Sequence, residues 1–370
     1  MSNIYDVIIV GAGPSGIGVA SLLQQMNSTS YLVLEKEEIG ASFLRWPKEM
    51  KCITPSFPAQ GFGQTDLNAV VPKTSPAYTL DMEHPTGEAY AQYLDVVAKH
   101  FSIPIKNGVQ VNRINKQASI FSIETSDGLY QSRYVVWAAG QYQYPNLTPF
   151  PGANLGLHNS LIAAWRELDG DNFIIIGGYE SGMDAAYQLG TLGKKTTVIA
   201  KTNTWEVEHS DPSIALSPYT YNRVRHLFDS DLLTIVGNTA VTQIEANGKG
   251  YDVHTDDGEV YFTEERPILA TGFAGSTTII ENLVARGQYQ EVLVNDIDES
   301  VATDGLFLAG PELRHDDHIF CYIYKFRQRF AVIAEALGSR LHLDVSILEE
   351  YKRENFYLKD LSMCGEMCQC

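Results

Sequence analysis

Residues 4–16 read IYDVIIVGAGPSG, an apolar run that leads directly into glycines with the spacing G-x-G-x-x-G. An apolar pattern of helical period follows, and the next apolar run ends at Glu35, 19 residues after Gly16. Strand, glycine loop, helix and acid in this order are typical of a dinucleotide-binding unit. Gly11 permits the tight turn, Gly13 lets the backbone approach a pyrophosphate, and Gly16 lets the helix pack on the strand.

The chemistry of this first loop favours FAD. Helix N-termini present unpaired N–H groups to phosphates, and a carboxylate at Glu35 can accept hydrogen bonds from ribose hydroxyls. Pro14 and Ser15 within the loop and Lys36 beside the acid complete the contacts predicted here.

A second unit of the same kind begins at residue 173 with FIIIGGYESGMDAAYQLG. Gly177 and Gly182 keep the outer glycines, but Tyr179 replaces the middle one, so this loop holds its nucleotide either less tightly or further out. Ser181 is predicted either to donate to a phosphate or to cap the helix. The next strand ends at Lys201, and a cation there suits the 2′-phosphate of NADPH better than a carboxylate would; the alternative is a solvated lysine.

These repeats predict an α/β protein with two Rossmann-like dinucleotide-binding domains, the NADPH domain inserted into the FAD domain. Strands ending in Ala-X-Gly, at Ala139–Gly140 and at Gly272, lie where the chain is expected to cross between domains. The predicted FAD domain is residues 1–145 plus 275–370, and the predicted NADPH domain is residues 146–274.

Net charge and apolar patterning narrow the range of expected partners and locations. A formal net charge of −18 argues against nucleic acid and anionic membranes as partners. No apolar stretch reaches the roughly 20 residues of a membrane span, and the N-terminus has no basic region before its apolar run. We therefore expect a cytoplasmic protein with a small-molecule substrate, and a homodimer is a reasonable default.

The chain resembles the two-dinucleotide-binding-domain flavoproteins, and among them the bacterial flavin-containing monooxygenase-like proteins, including flavoproteins associated with cation diffusion facilitators. The resemblance covers essentially the whole chain. It rests on GAGPSG with Glu35, GASFLRW at 40–46, GGYESGMDAA at 177–186, ATGF at 270–273 and the closing LAGPE at 308–312.

The resemblance implies FAD and NADPH as cofactors, with hydride passing from NADPH to the flavin. It places GASFLRW beside the flavin, ATGF in a linker between the domains, and LAGPE at the flavin ribityl and phosphate. The FAD contacts that it implies beyond the first loop are Arg45, Trp46, Thr54, Val111, Gly310, Pro311, His318 and Ile319.

Two departures from the family pattern affect the predicted reaction. The FxGxxxH fingerprint is only partly present, because Gly152 and His158 are six residues apart rather than four. Neither a CxxC motif nor a cysteine at position 15 is found. The leading hypothesis is an FAD- and NADPH-dependent monooxygenase acting on a small soft nucleophile. The alternatives are a flavin reductase of thiol, disulfide, quinone or metal acceptors, and a metal-handling accessory flavoprotein.

Three of the five cysteines lie in the last seven residues: Cys364, Cys368 and Cys370. As thiolates they are suited to a soft metal, and as a dithiol they are suited to electron transfer. A frayed terminus with free thiols is the remaining interpretation.

Overall fold

The structure is a computed structural model that describes residues 4–58, 65–209, 211 and 213–362. The chain divides into two compact units, which we call the first unit (Met1–Leu44, Thr54–Gln143 and Gly275–Cys370) and the second unit (Arg45–Ile53 and Tyr144–Ala274). The sequence predicts that all of residues 1–145 belong to one domain, but Arg45–Ile53 clusters with the second unit. Its backbone and side chains bond within the second unit: Lys48 N donates to Ala163 O, and Glu49 accepts from Arg166 Nε at 2.8 Å.

The strands are β1 Ile4–Val10, β2 Tyr31–Leu34, β3 Ile105–Lys106, β4 Val111–Gln117, β5 Ile120–Thr125, β6 Gly128–Trp137, β7 Leu157–His158, β8 Asn172–Ile176, β9 Lys195–Ile199, β10 Leu233–Val236, β11 Val241–Ala246, β12 Tyr251–Thr255, β13 Val260–Thr263, β14 Ile268–Leu269, β15 Leu306–Leu308, β16 Arg314–His315 and β17 His318–Ile319.

The α-helices are α1 Pro14–Gln25, α2 Ala41–Leu44, α3 Pro76–Leu80, α4 Gly87–His100, α5 Glu180–Thr191, α6 Pro218–Val224, α7 Ile323–Leu341 and α8 Leu348–Arg353. Short 3₁₀ helices cover Ala153–Leu155, Asn159–Leu161, Trp165–Glu167, Arg225–Leu227 and Ser276–Leu283.

The first unit is built on a sheet with the order β3-β2-β1-β6-β5-β4, and β15 pairs with the last residues of β6. Residues 7–10 of β1 are buried on both faces, as expected for a central parallel strand. Helices α1 and α7 pack against each other so closely that a Cβ at Gly18 would lie 2.3 Å from the Phe330 ring. Strands β1, β6 and β15 run parallel to one another, so their carboxyl ends lie at one edge of the sheet. Ligands bind at this edge in folds of this kind.

The second unit repeats this plan in a smaller parallel sheet with the order β10-β9-β8-β14-β7. Its apolar core lies between α5 and this sheet and includes Trp165, Phe173 and Met183. A separate antiparallel sheet, β11-β12-β13, contributes Ile244 and Val253 to a second apolar core of this unit. Asp-Gly turns at residues 127–128 and 257–258 predict hairpins within residues 118–136 and 248–263, and the pairs β5–β6 and β12–β13 confirm both.

None of the helices in the described part of the chain is long and apolar enough to cross a membrane.

Candidate functional site

The first glycine loop, which joins β1 to α1, is closed by backbone contacts. Gly11 has φ +104°, and a Cβ there would lie 2.5 Å from Ala138 O. A Cβ at Gly16 would lie 1.8 Å from Gly11 O. By contrast, a Cβ at Gly13 would find no atom within 4 Å. The turn and the packing of the helix thus require two of the glycines, and the third borders open space at the helix N-terminus.

Glu35 fixes this loop from the end of β2. Its Oε2 accepts from Ala12 N at 2.7 Å, and its Oε1 accepts from Glu37 N at 2.9 Å. Burial raises the pKa of the Glu35 carboxyl, and these two hydrogen bonds partly offset that effect. Each carboxylate oxygen can accept a further hydrogen bond, so Glu35 is able to hold the loop and a ribose hydroxyl together.

The end of β15 brings a second segment to the loop. Gly310 has φ +115°, and a Cβ there would lie 2.7 Å from Ser15 Oγ. Gly140, after β6, has φ +68° and open space around its Cβ position. The structure therefore brings Gly11, Ser15, Glu35 and Gly310 together, although they lie in three separate stretches of sequence.

The other residues expected near FAD in the first unit lie in four further segments. Val111 begins β4, and the turn before it is tied to β2 because Val109 N donates to Glu35 O at 2.8 Å. Pro311 follows Gly310 in the turn that leads to the β16–β17 hairpin, which carries His318 and Ile319. Thr54 is held through its carbonyl, which accepts from Asn68 Nδ2 at 2.8 Å.

Glu312 is a residue of this turn whose role the sequence did not reveal. Its carboxylate accepts from Ser276 N and Oγ at 2.9 and 2.6 Å, and from Thr277 N and Oγ1 at 3.3 and 2.9 Å. Both partners come just after the chain re-enters the first unit at Gly275. Glu312 thus joins the Gly310 turn to the crossing point of the chain. In the sequence, only the polar side chains of Ser276 and Thr277 hint at a hydrogen-bonding partner. No spacing or motif identifies that partner as position 312.

The second glycine loop, between β8 and α5, is closed in the same way as the first. A Cβ at Gly177 would lie 2.3 Å from Ala270 O, and one at Gly182 would lie 1.9 Å from Gly177 O. The middle position differs, because Tyr179 directs its hydroxyl to Ala215 O at 3.3 Å and packs against the apolar core of the unit.

Residues 204–209 and 213–220, which we call the strap, hold this second loop by hydrogen bonds. Thr204 Oγ1 donates to Gly178 O at 2.6 Å. Glu180, in the first turn of α5, accepts from Ser217 N at 2.5 Å and from Thr220 Oγ1 at 2.6 Å. Burial raises the pKa of Glu180 in spite of these bonds. The Glu180 carboxylate is therefore committed to the strap.

Lys201 lies just beyond β9 and is exposed, and it forms no ion pair with the described residues. Ser181 is the second residue of α5. Gly272 has φ +76°, and its carbonyl accepts from Asn146 N and from His158 Nε2, both at 3.0 Å. Because a carbonyl only accepts, that nitrogen carries the proton, and His158 is a buried structural residue of β7.

Arg45 and Trp46, expected to touch the flavin, fall in the second unit rather than in the one that holds the first glycine loop. The adjacent residues 48 and 49 are anchored within that unit. A contact of Arg45 and Trp46 with the flavin stays a prediction.

No group of three His, Cys, Asp or Glu side chains that could hold a metal ion occurs within residues 4–58, 65–209, 211 and 213–362. The candidate ligands Cys364, Cys368 and Cys370 lie outside the described residues.

Comparison with known proteins gives the family. The family model described as pyridine nucleotide-disulphide oxidoreductase matches residues 8–310. An uncharacterized CzcO-like oxidoreductase from Geobacillus kaustophilus is 26% identical over 193 residues, which are 51% of this chain and 52% of that protein. The chain thus spans about half the length of the curated relatives it matches first.

Solved structures agree on the fold. The bacillithiol disulfide reductase Bdr from Staphylococcus aureus superposes with a TM-score of 0.73 at 19% identity, over 92% of this chain and 99% of that one. A flavin-containing monooxygenase from Stenotrophomonas maltophilia gives 0.71 at 16% identity, over 92% and 100%. The protein has the fold of two-domain FAD/NAD(P)-binding flavoproteins, which confirms the predicted pair of Rossmann-like domains.

Proposed function

We propose that this chain, which belongs to the pyridine nucleotide-disulphide oxidoreductase family, is an oxidoreductase that uses FAD and NADPH to oxygenate a small, soft-nucleophile substrate. The observation that carries the cofactor part is the open space at Gly13, bordered by Glu35 and by the Gly310 turn.

The first unit fits FAD by three features. The position where a Cβ would stand at Gly13 is empty, so a pyrophosphate can approach the N-terminus of α1. No acidic side chain lies in the first turn of that helix. Glu35 is held at the loop by Ala12 N, in a position to accept from the adenosine ribose.

The second unit fits a nicotinamide nucleotide through a different arrangement of charged side chains. Glu180 is directed to the strap, which keeps its carboxylate bonded away from an incoming phosphate. Lys201 offers a cation at the strand end, where NADP-binding folds hold the 2′-phosphate.

Bound FAD would supply the two-electron chemistry, accepting hydride from NADPH and passing electrons to the acceptor. The residues of the chain bind and orient the cofactor. The loop amides and Glu35 would hold the adenosine diphosphate part, and Gly310 lets its turn approach Ser15 of the loop, where a side chain would clash.

An oxygenase is favoured over a dithiol reductase by the sequence around the loops. Ser15 stands where a loop cysteine would stand, and no CxxC motif occurs in the chain. The likeness to a flavin-containing monooxygenase supports the same class.

A disulfide reductase is the second candidate, and the likeness to Bdr favours it. In that case the C-terminal cysteines would relay electrons to the acceptor. A metal-handling accessory role for the same thiols remains the third proposal.

One set of assays separates these functions. The purified protein is given NADPH in ¹⁸O₂ with a thioether or amine, and the product is examined for ¹⁸O. Labelled product supports the oxygenase. NADPH oxidation under nitrogen that requires an added disulfide, and that is lost when residues 364–370 are deleted, supports the reductase. If the protein neither carries FAD nor oxidises NADPH, both proposals are wrong.

A further inference from the structure

A buried ion-pair cluster lies behind the turn that follows β15. Asp298 is fully buried and has a left-handed backbone, with φ +61°. Its Oδ1 accepts from Arg329 Nη2 at 2.7 Å and from His315 Nε2 at 2.6 Å. A buried carboxylate with two such donors is expensive to remove, because the partners are then left without a counter-charge.

Asp298 braces the turn on both of its sides. Its backbone carbonyl accepts from Leu308 N at 2.9 Å, on the strand that enters the turn. Its carboxylate holds His315, on β16, after the turn. Asp298 is therefore hydrogen-bonded to the chain both before and after Gly310 and Pro311.

The cluster continues to β17. His315 O accepts from His318 Nδ1 at 3.2 Å, and Ile319 O accepts from Lys325 Nζ at 3.3 Å. The position of Asp298 itself is fixed by Arg329 of α7, which also donates to Asp296 O at 2.7 Å and to Leu358 O at 2.7 Å. Through His315, the buried charge pair is therefore bonded to the hairpin.

We propose that Asp298 and His315 are positioning residues that set how residues 310–319 meet bound FAD. The inference rests on the proposed function, in which this segment lies against the flavin. Neither side chain needs to touch the cofactor, because they act through the backbone of the turn and the hairpin. Side chains held by buried partners of this kind give a site its precision.

The neighbouring residue supplies a matched control. Glu299 is also buried, and it also pairs with an arginine of α7, accepting from Arg340 Nη1 and Nη2 at 2.6 and 2.8 Å. Its other bonds run to Gly305 N and Asn295 Nδ2, not to the hairpin. Glu299→Gln thus disturbs a buried ion pair on the same turn and helix without releasing His315.

The test measures FAD dissociation constants by fluorescence titration, and the midpoint potential of the bound flavin, in His315→Leu, His315→Gln, Asp298→Asn and Glu299→Gln. We expect His315→Leu and Asp298→Asn to weaken FAD binding at least fivefold and to shift the potential. We expect His315→Gln, which keeps a donor near the Nε2 position, to recover most of that loss. Glu299→Gln is expected to lower Tm while leaving FAD affinity within twofold.

His315→Leu decides the matter if Asp298→Asn does not fold, because the His315 side chain is partly exposed (12%) and its replacement leaves the Asp298–Arg329 pair intact. FAD affinity and potential unchanged in His315→Leu, or changed equally in Glu299→Gln, would overturn the inference. A wild-type protein that binds no FAD would instead overturn the proposed function.

Discussion

The two glycine loops of this chain share their closure and differ in their middle position. In both, the last glycine lies against the carbonyl of the first: an added Cβ would lie 1.8 Å from that oxygen at Gly16 and 1.9 Å from it at Gly182. In the first loop, Gly13 borders open space; in the second, Tyr179 occupies the same place in the motif. The first turn of α1 contains no acid, whereas that of α5 contains Glu180.

This difference separates what the fold requires from what a ligand requires. The outer glycines are needed wherever a strand turns into a helix this tightly, so both units keep them. The middle glycine is needed only where a phosphate must approach the backbone. The substitution at Tyr179 therefore changes the expected grip on a nucleotide without changing the fold.

The largest expected effect comes from making the first loop resemble the second. Gly13→Tyr should fold, because a Cβ meets nothing within 4 Å and the backbone φ of −81° suits any residue. Its ring would fill the space proposed for the pyrophosphate, and we expect FAD affinity to fall about 1000-fold, or about 4 kcal/mol. Fluorescence titration with FAD measures the loss, and Tm of the apoprotein checks folding. Retention of FAD at wild-type affinity would show that the space is not the cofactor site.

The shared closure predicts equal effects in the two units. Gly16→Ala and Gly182→Ala each force a methyl group against a backbone oxygen that cannot move aside, so each should destabilise its unit by about 3 kcal/mol. Urea unfolding measures the change, with Gly13→Ala as the control that leaves stability within about 0.5 kcal/mol. A marked difference between Gly16→Ala and Gly182→Ala would contradict the idea that both loops close alike.

The sequence was sufficient for the loops because their requirements are local. Glycine spacing, apolar periodicity and the residue at the strand end are read within about 30 residues, and they predicted both Rossmann-like units. The hairpins followed from Asp127–Gly128 and Asp257–Gly258 in the same way.

Contacts across long sequence separations were not predictable. Arg45–Ile53 joins the second unit through Glu49 and Arg166, which are 117 residues apart. Asp298 meets Arg329 and His315 only because α7 and the hairpin fold back on it. No periodicity or spacing signals such partners, since a buried ion pair depends on which side chains the tertiary fold brings together.

The opposite charges of Glu35, after β2, and Lys201, after β9, lead to a third prediction with a smaller expected effect. Lys201→Glu places in the second unit the charge that Glu35 has in the first, and it should lower kcat/KM for NADPH about 10-fold, or about 1.4 kcal/mol, while NADH is little affected. Lys195→Glu, at the opposite end of β9, makes the same charge change away from the loop and should leave the NADPH/NADH ratio unchanged. If both variants alter the ratio equally, net charge rather than contact with the 2′-phosphate is responsible.

The smallest effect is expected from the acid that only the second loop carries. Burial raises the pKa of Glu180 above its ordinary value. The folded state therefore holds the proton to higher pH than the unfolded state does, and the stability associated with this group is present at low pH and lost as pH rises through the folded pKa. Removing the charge with Glu180→Gln should shift the Tm difference, variant minus wild type, in favour of the variant between pH 4.5 and pH 8. The expected shift is on the order of 3 °C, corresponding to about 1 kcal/mol. Glu206→Gln, an exposed acid in the strap, should show no such trend. A Tm difference that moves the other way would mean that the bonds from Ser217 and Thr220 stabilise the ionised carboxylate more than burial disfavours it. In that case α5 would begin with a negative charge that repels a phosphate.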